Sequence, residues 1–124
     1  MPIVSAADSP VFELDHVTAK GGAAPSRGAD ETSMWRFALH PGAPATPHQV
    51  TREEIFVVVT GRGVAELEGE THELEAGDTL IVPPHTPFSL SNPYDEKLKV
   101  VAILPVGAQA IMPGMDPFTP PWAS

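Results

Sequence analysis

Hydrophobic and polar residues alternate along residues 32–40, which read TSMWRFALH. Trp35, Phe37 and Leu39 fall on one side of an extended chain, and more polar residues fall on the other. An alternation of period two predicts a β-strand with one apolar face. A Pro-Gly pair follows directly and ends the predicted strand.

Short runs of β-branched and aromatic residues recur along the rest of the chain, separated by Gly, Pro and Asn turn signals. They predict further strands at residues 11–17, 54–59, 64–68, 71–74, 79–82, 88–90 and 97–104. The last of these, KLKVVAIL, is apolar throughout its centre, so we expect cover on both of its faces. Residues 20–30, rich in Gly and small side chains, predict a loop.

The composition agrees with a fold made of strands and turns. Gly (10) and Pro (15) are abundant among the 124 residues, which excludes a helical bundle. The length suits one domain over residues 1–124, with residues 1–10 and 105–124 as extended terminal segments. Because the tail is apolar, three interpretations stay open: packing across the strands of its own domain, a contact with a second subunit, or a lid over a pocket. Its large apolar side chains are Met112, Met115, Phe118 and Trp122.

The charge balance narrows the classes of partner. The formal net charge is −9, from 7 Lys and Arg against 16 Asp and Glu, so we expect neither nucleic acid nor an anionic membrane surface. Without Cys, the chain cannot form disulfides or thiolate metal sites. The first residues lack the features of a signal peptide, and no apolar run reaches the roughly 20 residues of a membrane helix. We therefore expect a cytoplasmic protein.

Two stretches carry polar residues at regular spacing. In the first, PGAPATPHQVTREEIFVVVTG, His48 and Glu54 lie between Gly42 and Gly61. His48 and Val50 are two residues apart, so on a strand they point to the same side. Glu54 begins a segment rich in β-branched residues, which is typical of a strand.

The second stretch, GDTLIVPPHTPFSLSN, has Gly77, Pro83, His85, Phe88 and Asn92 in that order. The pair of stretches resembles the two motifs of the cupin superfamily. The first family motif is Gly, five residues, His-x-His, three or four residues, Glu, six residues and Gly. The second is Gly, five residues, Pro-x-Gly, two residues, His, three residues and Asn. The resemblance implies an all-β, double-stranded β-helix or jelly-roll barrel.

The resemblance also implies a ligand set for a metal, and this chain departs from it. His48 and Glu54 stand at two of the four ligand positions, while Val50 and Phe88 stand where metal-binding members have further histidines. His85 should aim away from Phe88. Because a transition metal generally needs three protein ligands, we expect no metal cofactor. A divalent transition metal at His48 and Glu54 is the alternative.

By the same resemblance, the apolar faces of the strands line an interior pocket for a small molecule. His48 and Glu54 are the predicted catalytic residues and would meet inside this pocket. The predicted substrate-contacting residues are Trp35, Phe37, Val50, Phe56, Phe88 and Leu90. A structural alternative is that His48 and Glu54 only satisfy each other within a packed core.

The predicted function is metal-independent acid/base chemistry of the isomerase, cyclase or dehydratase type on a mostly apolar metabolite. Two alternatives stay open, a metal-dependent cupin oxygenase with an incomplete ligand set and a non-catalytic ligand-binding module. The residues alone leave open whether the protein is an enzyme. Outward-facing Ile55, Val57 and Val59, together with the tail aromatics, predict a homodimer.

Overall fold

A computed structural model describes residues 2–124, and strands dominate it. The strands are β1 (Val11–Glu13), β2 (Val17–Gly21), β3 (Thr32–Leu39), β4 (Gln49–Val50), β5 (Glu54–Thr60), β6 (Arg62–Leu67), β7 (Glu70–Glu75), β8 (Thr79–Val82), β9 (Phe88–Ser91), β10 (Leu98–Pro105) and β11 (Ala110–Ile111). Single 3₁₀ turns lie at Ala6–Asp8, Pro25–Arg27 and Pro121–Ala123. No helix within the described residues is long and apolar enough to cross a membrane.

The strands form two layers. One is a six-stranded antiparallel sheet in the order β1-β2-β3-β10-β5-β8, and the other contains the sheets β7-β6-β9 and β11-β4. A bridge between His48 and Phe88 joins β4 to β9, with both backbone N–H···O distances at 3.0 Å. The rings of Phe56 and Phe88, 5.7 Å apart, meet between the layers. This architecture confirms the predicted all-β jelly roll.

The core lies between the two layers. Ala102 pairs with Trp35 on one side and with Phe56 on the other, so these three side chains form one row across the inner face of the large sheet. Val100 pairs with Phe37 in the same way and extends the inner face by a second row. The alternation of residues 32–40 therefore identified the buried face correctly, because Trp35 and Leu39 are both buried.

Three details differ from the prediction. The predicted strand 11–17 is two strands, because a turn closed by the Leu14 N–H to Val17 carbonyl bond folds β1 back on β2. As a result, the first residues of the predicted loop 20–30 end β2. The outer face of β10 is not fully covered, since Val101 and Ile103 are only half-buried and Lys99 is exposed.

The terminal segments are more structured than extended chain. Within residues 2–10 a capped 3₁₀ turn forms at Ala6–Asp8, while the prediction for Met1 lies outside the described residues. The tail holds β11 and a final turn, and it folds back onto its own barrel. Arg27 Nη2 donates to the Trp122 carbonyl at 3.0 Å, and Ser26 Oγ donates to the Ser124 carbonyl at 2.6 Å. The single domain over residues 1–124 stays a prediction.

Candidate functional site

His48 lies on the inner face of the smaller layer, directly before β4. Its ring is half-buried and sits 4.4 Å from the ring of Phe88. Nδ1 lies 2.9 Å from the Thr46 carbonyl, and because a carbonyl can only accept, Nδ1 carries the proton of the neutral ring. Nε2 is therefore left with a free lone pair. Burial lowers the pKa of His48, and the bond to Thr46 opposes this only in part.

Glu54 begins β5 and faces the interior from the large sheet. The residue is only 4% exposed, and it pairs across the sheet with Val82, which is fully buried. Burial raises the pKa of Glu54 from an ordinary value of 4.5 to about 8, with no opposing hydrogen bond from the described residues. At neutral pH this side chain is therefore mostly a carboxylic acid, which can donate a proton.

The structure does not bring His48 and Glu54 into direct contact. Within residues 2–124, the histidine–carboxylate pair within 4 Å is instead His72 with Glu70, at the surface. The His48 ring lies against Phe88 at an angle of 49°, and Phe88 contacts Phe56, which is two residues from Glu54 on β5. The alternative that these two groups satisfy each other is therefore wrong, because no hydrogen bond or ion pair joins them among the described residues. Their catalytic role stays a prediction.

The predicted lining residues do gather in one place. Four of them are buried, namely Trp35, Val50, Phe56 and Phe88. The other two, Phe37 and Leu90, are half-buried against the same core. Their substrate-contacting role stays a prediction. Surface cavities of about 290 and 310 Å³ lie elsewhere, around Arg62 and Tyr94.

The donor set does not fit a tightly held metal ion. In the described part of the chain, no three His, Cys, Asp or Glu side chains are grouped so that they could hold one. Val50 and Phe88 are buried apolar residues at the two remaining ligand positions. His85 is exposed, and its φ of 54° occupies the left-handed region where the family motif has Gly. It therefore supplies no third ligand.

Sequence reasoning missed three residues around the site. The Thr46 carbonyl fixes the His48 tautomer, and Trp122, which the sequence placed only in an apolar tail, packs on Trp35. Asn92, known only as a motif position, donates from Nδ2 to the Leu39 and Glu96 carbonyls at 3.0 and 2.7 Å. The Pro-rich run before His48 and the Trp in an apolar tail were the available signals.

Comparisons with known proteins agree with this architecture. Over 101 residues, or 73% of this chain and 50% of the relative, the sequence is 29% identical to auxin-binding protein 1 of Arabidopsis thaliana. Over 51 residues, or 41% of each chain, it is 39% identical to an uncharacterised protein of Methanocaldococcus jannaschii. The chain therefore spans half or less of the length of these curated relatives.

Solved structures show the same fold. The polyketide cyclase RemF from Streptomyces resistomycificus superposes with a TM-score of 0.80 at 18% identity, over 94% of this chain and 87% of that one. KdgF from a Halomonas species superposes with a TM-score of 0.72 at 24% identity, over 83% of this chain and 93% of that one. Salicylate 1,2-dioxygenase from Pseudoaminobacter salicylatoxidans superposes with a TM-score of 0.71 at 20% identity, over 86% of this chain and 31% of that one. The family model of the cupin domain matches residues 35–104, more than half of the sequence, and the chain belongs to the cupin family.

Proposed function

We propose that this protein performs metal-independent acid/base chemistry on a small, mostly apolar molecule held between its two layers. The observation that carries the proposal is that the half-buried imidazole of His48 and the buried carboxyl group of Glu54 share one apolar interior. Burial lowers the pKa of His48 and raises that of Glu54 to about 8, so a free imidazole base and an undissociated acid face one apolar interior. A base and an acid that are both ready near the working pH are what proton transfer requires.

The reaction that fits this pair is the isomerisation of a β,γ-unsaturated ketone to its conjugated isomer through the dienol. His48 Nε2 removes a proton from the carbon next to the carbonyl, while Glu54 gives its proton to the carbonyl oxygen. Return of the His48 proton to a different carbon, with the enol proton passing back to Glu54, yields an isomer and restores both residues. In an aldol-type cyclisation or a dehydration His48 removes the same kind of proton, while Glu54 protonates the carbonyl that is attacked or the hydroxyl that leaves as water. The proton on His48 then returns to Glu54, and none of these reactions consumes an oxidant.

The lining supports an aromatic or polycyclic substrate. Phe88 lies next to both the His48 ring and Phe56, so a flat molecule near both polar groups would pack against phenyl rings. The names of two similar structures point the same way, a polyketide cyclase and a salicylate dioxygenase. Their identities of 18% and 20% support the fold alone, so the substrate class rests on the lining.

The proposal is tested by hydrogen–deuterium exchange at the carbon next to the carbonyl of an aryl ketone such as 2-tetralone, followed by ¹H NMR. We expect His48→Ala to lower catalysed exchange by roughly 10²- to 10⁴-fold, the usual contribution of a positioned base. Glu54→Gln keeps the shape but removes the proton donor, so exchange should also fall. The matched control, His72→Ala, removes an exposed imidazole and should leave the rate unchanged. Equal rates for His48→Ala and the unsubstituted protein would refute the base role.

A non-catalytic ligand-binding module is the second candidate. The name of the relative that covers 73% of this chain, auxin-binding protein 1, favours it. The same barrel would then hold a ligand without converting it. Recovery of a bound ligand, chemically unchanged after long incubation with the protein, would support binding over catalysis.

A metal-dependent oxygenase remains the third class, with a divalent transition metal at His48 and Glu54. The salicylate dioxygenase among the similar structures favours it, while the two-residue donor set opposes it. Elemental analysis of protein purified without chelators separates the classes. Stoichiometric iron, manganese, nickel or zinc would replace the acid/base proposal.

We also propose a homodimer formed through the outer face of the large sheet. Ile55 and Val57 are half-buried there, and Val59 and Ile81 are 52% and 54% exposed. Burying such a face against a second copy would remove apolar surface from water. Light scattering should give twice the mass of 13.1 kDa, and an Ile81→Lys variant should shift the mass towards the monomer.

A further inference from the structure

His48 and Phe88 are paired through both their backbones and their rings. Each backbone N–H donates to the carbonyl of the other residue at 3.0 Å, so the two residues lie directly opposite each other. Side chains of such a pair stand on the same face. The two ring centroids are 4.4 Å apart, and the ring planes are inclined by 49°. The imidazole of His48 therefore rests against the phenyl ring of Phe88.

Phe88 is held on every side by the core. It is only 2% exposed, and its ring lies 5.7 Å from the ring of Phe56 on the large sheet. On the side away from His48 it pairs with Leu67, so its strand has a neighbour on both edges at this position. Side chains packed in this way have little room to move. Phe88 is therefore a fixed surface against which a more mobile group can be oriented.

The side chain of His48 is held less firmly than that of Phe88. His48 follows the Pro-rich residues 41–47, and its side chain makes one hydrogen bond to the described residues, from Nδ1 to the nearby Thr46 carbonyl. Thr46 is exposed, so water competes for this bond. The torsion about the histidine Cβ–Cγ bond is broad. A half-turn about it would exchange Nδ1 with Cδ2 and Nε2 with Cε1, which would break the bond to Thr46 and displace the free lone pair.

We infer that Phe88 is a positioning residue, which holds the His48 ring in the orientation that keeps Nδ1 on the Thr46 carbonyl and leaves Nε2 free. The inference deepens the proposed function and rests on it, because the orientation matters to the reaction only if Nε2 takes a proton. A half-turn of the imidazole would sweep its edge through the space that the phenyl ring fills. The Thr46 carbonyl thus selects the tautomer, and Phe88 keeps the ring where that carbonyl can act.

The first test reads the histidine tautomer from the nitrogen shifts in a long-range ¹H–¹⁵N spectrum of the free protein, at a pH where the ring is neutral. The chain has five histidines, and the signals of His48 are those that His48→Ala removes. We expect one Nδ1–H tautomer, with two well separated nitrogen shifts. Phe88→Leu removes the ring but keeps an apolar side chain, so the two shifts should approach each other. Phe88→Tyr keeps the ring and should keep the tautomer.

Phe56→Leu is the matched control for the spectrum. It makes the same change in the next ring of the core, which contacts Phe88. The packing is loosened to a similar degree, but the wall beside the imidazole stays. The tautomer of His48 should therefore be the same as in the unsubstituted protein.

The second test uses exchange catalysis on 2-tetralone. Loss of positioning lowers kcat, by roughly 10- to 100-fold for a displaced catalytic group. Loss of a substrate contact alone raises KM and leaves kcat unchanged. Phe88→Leu should therefore act mainly on kcat, and Phe88→Tyr should restore most of it.

Averaged nitrogen shifts for His48 in the unsubstituted protein would overturn the inference without any variant. An unchanged single tautomer in Phe88→Leu, or an effect of that variant on KM alone, would overturn it as well. Because the tautomer is measured without substrate, it separates the two proposals. If Phe88→Leu loses the single tautomer and even the unsubstituted protein catalyses no exchange, Phe88 does orient His48 and the acid/base proposal is the one that fails.

Discussion

Two histidine–glutamate pairs in this protein use the same side chains in opposite surroundings. His72 and Glu70 lie on β7, 3.6 Å apart, with side chains 48% and 80% exposed. His48 and Glu54 make no direct contact, yet both face the interior, where burial shifts their pKa values in opposite directions. The pair in contact lies in solvent, and the pair out of contact lies in the apolar interior.

The difference shows that burial, more than proximity, prepares acid and base groups for chemistry. A surface pair gains little because water screens its charges. An apolar interior penalises each charged form separately, so the imidazole loses its proton readily and the carboxyl group keeps its own. His48 and Glu54 can both stay uncharged without contact, because two neutral groups need no ion pair to offset a buried charge.

The largest effect is expected from completing the ligand set. Replacing Val50 and Phe88 together by histidine (V50H/F88H) would give the interior four donors, with His48 and Glu54, at the positions that metal-binding cupins use. We predict that affinity for Zn²⁺ or Ni²⁺ rises by roughly 10³-fold or more, measured by calorimetry. The same number of histidines placed beside the surface pair serves as the control. No gain in affinity would show that the interior cannot hold a cation, whatever its donors.

The next effect concerns the pH dependence of stability. Because the pKa of folded Glu54 is raised from 4.5 to about 8, folding retains a proton that the unfolded chain loses between these values. Stability from this group is full below pH 4.5 and declines as the pH rises to 8, by an amount on the order of 4 kcal/mol. Urea unfolding from pH 4 to 9 should show the decline.

Glu54→Gln cannot ionise, so its stability should not decline over this range, and it should exceed that of the unsubstituted protein at pH 8. His48 acts in the opposite sense: its lowered pKa removes stability as the pH falls below 6.5. Glu70→Gln is the surface control and should keep the decline. If the stability of Glu54→Gln and that of Glu70→Gln depended on pH in the same way, the buried Glu54 would not be the source of the decline.

The smallest effect is expected at the surface. A double-mutant cycle on His72 and Glu70 should give a coupling free energy of about 0.5 kcal/mol or less, and 1 M salt should reduce it further. The cycle is measured by urea unfolding. A coupling above about 2 kcal/mol would remove the contrast between the two pairs.

Alternation and motif spacing predicted the parts of this molecule that depend on local pattern. Strand β8 was predicted at its observed bounds, and the inward face of β5 followed from the position of Glu54. The turn between β1 and β2 was missed because residues 14–16 contain neither Gly nor Pro, and its reversal depends on pairing with β3.

The site was predicted less completely because its geometry depends on backbone and long-range contacts. The Thr46 carbonyl turns the His48 ring and holds Nδ1, a feature that no side-chain pattern encodes. The place of Trp122 on Phe37 requires the tail to return across the whole chain. The sequence motif therefore identified His48 and Glu54, whereas only the structure shows that the two side chains are not in contact.

The most direct measurement is an NMR titration of the Glu54 side-chain carboxyl carbon in ¹³C-labelled protein, with Glu70 as the internal reference. The account predicts that Glu54 stays protonated through neutral pH, with a midpoint about 8. A midpoint near 4.5, the ordinary value for glutamate, would mean that a carboxylate faces the interior at neutral pH and that no acid is available beside the His48 base.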